Sequence, residues 1–210
     1  MANITIEASV MGKIKRIRNF YIPWLSEEEK HSKKLAWESD YNQQIRFKVL
    51  TDNIDLESKS ILDVGCGLGD LLSFLTEQGI NVKYTGVDVL SEMIDSAKKF
   101  HPKSDFYKIN IFKDDISNLG QYDVIYASGT FNLNLQNNYD FLSNVTETFL
   151  KLANKYFIFN LLHERSTDKD RTFFYTTPEK IVPLFENKKC SVRIVDDYLE
   201  NDFSVIGEKI

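Results

Sequence analysis

Residues 60–75 constrain the fold of this chain more than any other segment. The first five, 60–64, are mostly apolar and predict a buried strand of a parallel sheet. Glycines follow at 65, 67 and 69, where the backbone can turn sharply and another atom can approach without meeting a Cβ. From Leu68 onward, leucines recur at helical spacing. This order predicts a ligand site, because the free N–H groups of the first helical turn face whatever lies over the loop.

Two acidic residues flank the glycine loop and restrict what it can bind. Asp63 precedes Gly65 by two positions, and Asp70 follows Gly69 directly. The dinucleotide-binding pattern G-x-G-x-x-G would have its third glycine at position 70. Carboxylates at these places would repel a diphosphate, whereas they suit a ligand with a cationic portion, such as the amino and sulfonium groups of S-adenosylmethionine. A tight turn with no ligand remains the alternative.

The loop resembles the first motif of the class I S-adenosylmethionine-dependent methyltransferases, an acidic residue followed by G-x-G-x-G. Asp63, Gly65, Gly67 and Gly69 match that motif position by position. The resemblance extends roughly from Trp37 to the C-terminus. Together with the alternation of strands and helices, it implies a three-layer, Rossmann-like α/β fold. The sheet would have seven strands, mainly parallel, with an antiparallel strand at its C-terminal edge. An N-terminal arm and helical cap would cover 1–58, and the core would cover 59–210.

The second predicted strand ends at Asp88, roughly 20 residues past the loop, where doubly wound folds place an acid on a ribose diol. The resemblance gives Asp88 the same role and places adenine against Val89, Met93 and Ile111. Asn110 occupies the position where the family usually has an acid for the adenine amino group. For Met93, packing in the core is the alternative.

A capping box at 26–29 predicts the start of a helix. The segment from Trp37 to Phe47 resembles the helix that precedes the core in many small-molecule methyltransferases. In that helix Arg46 could bind the methionine carboxylate bidentately, and Tyr41 could line the methyl side; surface and core roles are the alternatives. The predicted cofactor residues are Tyr41, Arg46, Asp63, Gly65, Cys66, Gly67, Gly69, Asp88, Val89, Met93, Asn110, Ile111 and Ser128.

A polar segment follows the fourth predicted strand, 121–128, and is expected to face the substrate. It lacks the proline-proline-aromatic motif of enzymes that methylate base or glutamine amino groups, and it has no nucleophilic cysteine. His163, near the end of the fifth predicted strand, is the histidine best placed by sequence for proton transfer, and a surface histidine is the alternative. Tyr198 and Asp202 are expected on a loop that could fold back towards the pocket. The predicted substrate residues are Thr130, Phe131, Asn132 and Asn160, with an ordinary polar loop as the alternative.

Composition limits the class of protein. The chain has 210 residues, a formal charge of −5 and 13% aromatic residues, which predict one folded domain with no strong signal for nucleic acid. Its two cysteines form no metal or disulfide pattern, and no metal is expected. Without an apolar run for a membrane span or a signal peptide, we expect a cytoplasmic protein.

The sequence therefore predicts an enzyme that transfers a methyl group from S-adenosylmethionine to a small-molecule acceptor and releases S-adenosylhomocysteine. RNA or protein acceptors, an NAD(P)-dependent oxidoreductase and a non-catalytic S-adenosylmethionine-binding protein are the alternatives.

Overall fold

The computed structural model describes residues 2–25 and 39–210, with side chains from residue 12 onward. The chain divides into two compact units, 1–43 and 44–210. Helix α1 (Ala2–Leu25) lies in the first unit, and helix α2 (Asp40–Asn53) crosses the boundary. The capping box at 26–29 and Trp37 lie outside the described residues. The predicted division at residue 58 stays a prediction.

One sheet organises the second unit. In it the strands lie in the order β3-β2-β1-β4-β5-β8-β7, and the short strand β6 pairs with β5. The strands are β1 (Ser60–Val64), β2 (Lys83–Asp88), β3 (Asp105–Lys108), β4 (Tyr122–Ala127), β5 (Ala153–His163), β6 (Tyr175–Thr176), β7 (Cys190–Val195) and β8 (Asp202–Lys209).

The pairing confirms the predicted mainly parallel sheet with an antiparallel C-terminal edge. Strands β1 to β6 pair in parallel, whereas β8 is antiparallel to both β5 and β7. The antiparallel part therefore consists of two strands, with β8 inside the sheet and β7 at its edge. Because the parallel strands end on one side, the loops after β1, β2 and β4 meet at the same edge of the sheet.

Helices cover both faces of the sheet, which gives the predicted three layers. Buried side chains alternate along the strands between two apolar clusters, as the period of a strand requires. One cluster includes residues of α5 (Asn138–Leu152) and the 3₁₀ turn Val182–Phe185. The other includes residues of α2 beyond residue 43, of α3 (Asp70–Glu77) and of α4 (Ser91–Phe100). A short helix, α6 (Pro178–Ile181), begins after Thr177, with a proline in its first turn, where its missing N–H costs nothing. No helix in the described ranges is long and apolar enough to cross a membrane.

Candidate functional site

The glycine loop leaves β1 at the carboxyl edge of the sheet in a conformation that favours glycine. Gly65, Gly67 and Gly69 have φ of 74°, 54° and 85°, a region that costs other residues energy. The Gly65 N–H donates to the carbonyl of Val87 at the end of β2 (2.8 Å). A Cβ on Gly65 would lie 2.4 Å from Oγ1 of Thr130. The loop is therefore held between the end of β2 and the segment that follows β4.

Asp88, at the end of β2, lies beside the glycine loop. Its carboxylate accepts hydrogen bonds from the N–H groups of Gly67 (3.2 Å) and Leu90 (2.9 Å). The side chain is half-buried, and removal from water raises the pKa of Asp88 to about 6 although these N–H groups lower it. A half-exposed acceptor thus lies directly beside the glycine loop, where a diol could donate to it.

Asp63 adds a second carboxylate beneath the loop. It is 4% exposed, and its Oδ2 accepts a hydrogen bond from the hydroxyl of Tyr84 (2.7 Å). Burial raises the pKa of Asp63 to about 7; the Tyr84 hydroxyl lowers it, and the charges of Asp88 and Asp70 raise it further. The charges of Asp88 and Asp70 therefore act on Asp63, and the site favours a cation over a diphosphate.

The residues predicted to contact adenine gather near the end of β2, but they differ in exposure. Val89 is partly exposed, whereas Met93 and Ile111 are 2% and 4% exposed and belong to the core. The side-chain oxygen of Asn110 accepts the N–H of Phe112 (3.1 Å). An amide oxygen has two lone pairs, so this turn leaves Asn110 able to accept one further hydrogen bond.

The segment after β4 lies against the glycine loop. Its Thr130 hydroxyl donates to the carbonyl of Val64, the last residue of β1 (2.8 Å). Ser128 and Asn132 are largely buried, and Oδ1 of Asn132 has no hydrogen-bond partner among the described residues. A buried acceptor without a donor is costly, so Asn132 is a candidate in this segment for contact with a substrate donor.

Two of the predicted contact residues have other surroundings. The ring of Phe131 is 1% exposed and is surrounded by aromatic rings of the core, including Phe149 and Phe159. It therefore supports the loop from below and offers no surface to a substrate. The thiol of Cys66 is also in the core, its pKa is raised by burial, and only its backbone lies in the glycine loop.

Arg46 has a different partner from the predicted one. Its Nε and Nη2 both donate to Oδ2 of Asp202 (2.8 and 2.5 Å), and both side chains are almost fully buried. Because this edge of the guanidinium already binds a carboxylate, the structure does not support the prediction that it grips the methionine carboxylate. Tyr41 is 63% exposed and lies in the first unit; its predicted role stays a prediction.

His163 and Asn160 lie on β5, but at different levels. Phe159 pairs with Ala127, the last residue of β4, so Asn160 is level with the loop after β4. His163 lies three residues further, roughly 10 Å along the strand. Its Nδ1 accepts the N–H of Arg165 (3.0 Å), which places the proton of the neutral ring on Nε2. Neither feature supports His163 as the base.

The sequence did not predict how Asp202 and Tyr84 join these parts from within the sheet. Asp202 is the first residue of β8, not part of a loop as expected, and Asn160 donates to its carboxylate. Tyr84, the partner of Asp63, is likewise on a strand. Both are polar residues at positions that the strand pattern turns inward, and this was the available signal. No group of three or more His, Cys, Asp or Glu side chains in the described part of the chain could hold a metal ion.

The glycine loop, the acid after β2 and the mainly parallel sheet define a Rossmann-like cofactor-binding protein. The model of a family described as a methyltransferase domain matches residues 61–150. A Mycobacterium tuberculosis protein, provisionally named a methyltransferase, is 30% identical over 158 residues, which cover 71% of this chain and 93% of that protein. The chain therefore belongs to the class I S-adenosylmethionine-dependent methyltransferase family.

Other similarities are more limited. A Rickettsia bellii ubiquinone biosynthesis O-methyltransferase is 37% identical over 81 residues, which are 37% of this chain and only 32% of that enzyme. Among solved structures, Synechocystis magnesium protoporphyrin IX methyltransferase with bound S-adenosylmethionine has a TM-score of 0.61 at 12% identity, covering 94% of this chain and 91% of that one. At this identity the structural likeness supports the fold.

Proposed function

We propose that this chain transfers a methyl group from S-adenosylmethionine to an oxygen or nitrogen of a small-molecule acceptor. The observation that carries the proposal is the half-buried carboxylate of Asp88 beside a loop of three glycines with positive φ. In the family this pair of features binds the ribose and the amino-acid part of the cofactor.

The charges of the site support a cationic cofactor. Asp63 and Asp88 each have a raised pKa because burial disfavours their charged forms. A ligand that brings an ammonium and a sulfonium group would stabilise these charges, whereas a diphosphate would add to the repulsion. The same argument disfavours the oxidoreductase alternative.

In this proposal the cofactor supplies an electrophilic methyl group, and the protein positions what surrounds it. Asp88 would hold the ribose hydroxyls, and Val89 and Asn110 would bind adenine. Thr130 keeps the post-β4 segment against the end of β1, and the buried Oδ1 of Asn132 would accept an N–H or O–H of the methyl acceptor. Positioning and exclusion of water are the main contributions expected from such a site.

Three observations favour a small acceptor over RNA or protein. The curated relatives include O-methyltransferases of ubiquinone biosynthesis, and the Gly129-Thr130 pair replaces the prolines of enzymes that act on base or glutamine amino groups. The formal charge of −5 also gives no electrostatic support for binding nucleic acid.

The variant Asp88→Ala tests the cofactor site. Because a hydrogen bond to a charged group contributes about 1.5–3 kcal/mol, we expect affinity for S-adenosylhomocysteine to fall roughly 10- to 100-fold. Isothermal titration calorimetry measures this. Asp95→Ala is the matched control, since Asp95 is an exposed aspartate on α4; it should bind as the wild type does. Equal affinity of Asp88→Ala and wild type would contradict the assignment.

The class of acceptor is tested with S-adenosylmethionine carrying a labelled methyl group. The protein is incubated with a cell extract that is afterwards separated into small molecules, RNA and protein. We expect label in the small-molecule fraction with wild type and little with Asp88→Ala. Label confined to RNA or protein would refute a small acceptor, and no label in any fraction, despite cofactor binding, would favour a non-catalytic binding protein.

A further inference from the structure

A buried cluster of polar side chains connects α2, β5 and β8 beneath the proposed site. Its centre is the carboxylate of Asp202, which is 0% exposed. Arg46 and Asn160, 4% and 3% exposed, donate to it from α2 and β5. Tyr198 donates to it from the segment before β8.

Both oxygens of Asp202 accept hydrogen bonds, and they share one donor, Nδ2 of Asn160. Oδ1 accepts from the Tyr198 hydroxyl and from Nδ2 of Asn160 (3.0 Å). Oδ2 accepts from Nε and Nη2 of Arg46 and from Nδ2 of Asn160 (2.8 Å). Removal from water raises the pKa of Asp202, while the Arg46 charge and these hydrogen bonds lower it. Nδ2 of Asn160 lies within hydrogen-bond distance of both oxygens, so an N–H₂ group in the place of either one would lie 3.0 Å or less from another donor.

This carboxylate determines which way the Asn160 amide points. With both Asp202 oxygens on one side, the N–H₂ end of Asn160 has to face them. Its Oδ1 then faces the N–H of Gly129, from which it accepts a hydrogen bond of 2.8 Å. If the amide were reversed, its N–H₂ group would meet the Gly129 N–H, and two donors would oppose each other.

Gly129 transmits this orientation to the glycine loop. It has φ of 71° and directly precedes Thr130, whose hydroxyl donates to the Val64 carbonyl and whose side chain fills the space beside Gly65. Asp202 is thus connected to the proposed cofactor site through the hydrogen bonds of Asn160, the chain from Gly129 to Thr130, and the close contact of Thr130 with Gly65.

We propose that Asp202 is a positioning residue for the cofactor site: it orients the Asn160 amide, which fixes Gly129 and so holds Thr130 against the glycine loop. The inference rests on the proposed function. A buried ion pair is weak support for stability alone, because apolar replacements are often as stable, whereas a carboxylate at 202 is the group that leaves the Asn160 amide one orientation.

The test variant is Asp202→Asn, which keeps the shape but places an N–H₂ group 3.0 Å or less from the N–H₂ group of Asn160. We expect affinity for S-adenosylhomocysteine to fall at least tenfold. The exchange variant Asp202→Asn/Asn160→Asp restores one carboxylate and one amide. One carboxylate oxygen at position 160 then accepts from the Gly129 N–H, and the other accepts from the amide at position 202. It should bind within threefold of wild type.

Tyr198→Phe is the matched control, because it removes one donor from Asp202 and leaves Asn160 in place. We expect its affinity to change less than threefold, even if its melting temperature falls. Wild-type affinity in Asp202→Asn would overturn the inference. The inference would also be overturned if, across all three variants, the loss of affinity were proportional to the fall in melting temperature. That pattern marks a purely structural role.

A second measurement does not depend on the cofactor. Labelling with ¹⁵N-glycine gives signals from nine glycines, among which Gly129 is assigned by its absence in Gly129→Ala. Its amide should exchange with solvent at least tenfold faster in Asp202→Asn and return to the wild-type rate in the exchange variant. Unchanged exchange in Asp202→Asn refutes the positioning role. Failure of wild type to bind S-adenosylhomocysteine instead refutes the proposed function.

Discussion

Gly65 and Thr130 share a space in which there is no room for a Cβ on residue 65. Gly79, in the turn after α3, has nearly the same φ, 71° against 74°, but nothing lies within 4 Å of a Cβ placed on it. The two glycines therefore separate the cost of backbone conformation from the cost of the close contact.

We expect Gly79→Ala to lower the free energy of unfolding by about 1–2 kcal/mol, the cost of a left-handed alanine. Gly65→Ala should cost more, because its Cβ would lie 2.4 Å from Oγ1 of Thr130. Urea denaturation of these variants, alone and with Thr130→Ala, measures the difference. The double variant Gly65→Ala/Thr130→Ala should lose less stability than the sum of its two single variants. For Gly79→Ala/Thr130→Ala the two losses should add. Additivity in both would contradict the contact.

The raised pKa of Asp63 predicts how the stability of the free protein depends on pH. Its pKa is raised from an ordinary 3.8 to about 7, so between these values the native state binds more protons than the unfolded state. Stability therefore falls as pH rises through this window. Asp88 and Asp202, whose pKa values are also raised, contribute in the same direction.

Denaturant unfolding between pH 5 and 7.5 should show this decrease for wild type and a smaller slope for Asp63→Asn, whose amide oxygen can still accept from Tyr84. Asp123→Asn is the control, because hydrogen bonds from Ser60 lower the pKa of Asp123. Its contribution is lost only as pH falls below its unfolded value, so it should shift stability in this range without changing the slope. An identical slope in wild type and Asp63→Asn would contradict the raised pKa.

At the level of elements, the predicted strands agree with the structure where apolar runs are bounded by turn residues. The run 60–64 matches β1, and the run 121–128 contains β4, Tyr122–Ala127. Strand β5 extends to His163, beyond its apolar run, because β6 and β8 pair with its end. Such boundaries depend on partners distant in sequence, and local patterns do not contain them.

The same dependence on partners distant in sequence explains which parts of the site the sequence predicts and which parts it does not. The roles of the glycine loop and Asp88 follow from spacing within 63–88. Arg46, however, lies 156 residues from Asp202, and the core position of Phe131 depends on rings from α5 and β5. A side chain that is polar or aromatic next to a site can be recognised from sequence, but its direction depends on contacts that only the fold provides.

Gly207 tests the packing of β8, which carries Asp202, on β5, which carries Asn160. A Cβ at 207 would lie 1.9 Å from Cζ of Phe157, so the ring occupies the space that glycine leaves. We expect Gly207→Ala to destabilise the protein by about 1–3 kcal/mol through overpacking, as measured by urea denaturation. Ser191→Ala on the exposed side of β7 should change stability by at most about 0.5 kcal/mol. Equal effects of the two substitutions would contradict this packing.

For the whole molecule, we propose that the unit formed by 44–210 binds S-adenosylmethionine at the carboxyl edge of its sheet. Family membership, the positive φ of the three glycines and the carboxylate of Asp88 all support this claim. The acceptor-side proposals and the positioning role of Asp202 both depend on it.

Calorimetric titration of the purified protein with S-adenosylhomocysteine and, separately, with NADH tests the claim most directly. We predict saturable binding of one S-adenosylhomocysteine per chain and no binding of NADH, because the carboxylates around the loop repel a diphosphate. Binding of NADH without S-adenosylhomocysteine would contradict the account and indicate hydride transfer. Absence of binding by either ligand would contradict the assignment of the glycine loop as a cofactor site.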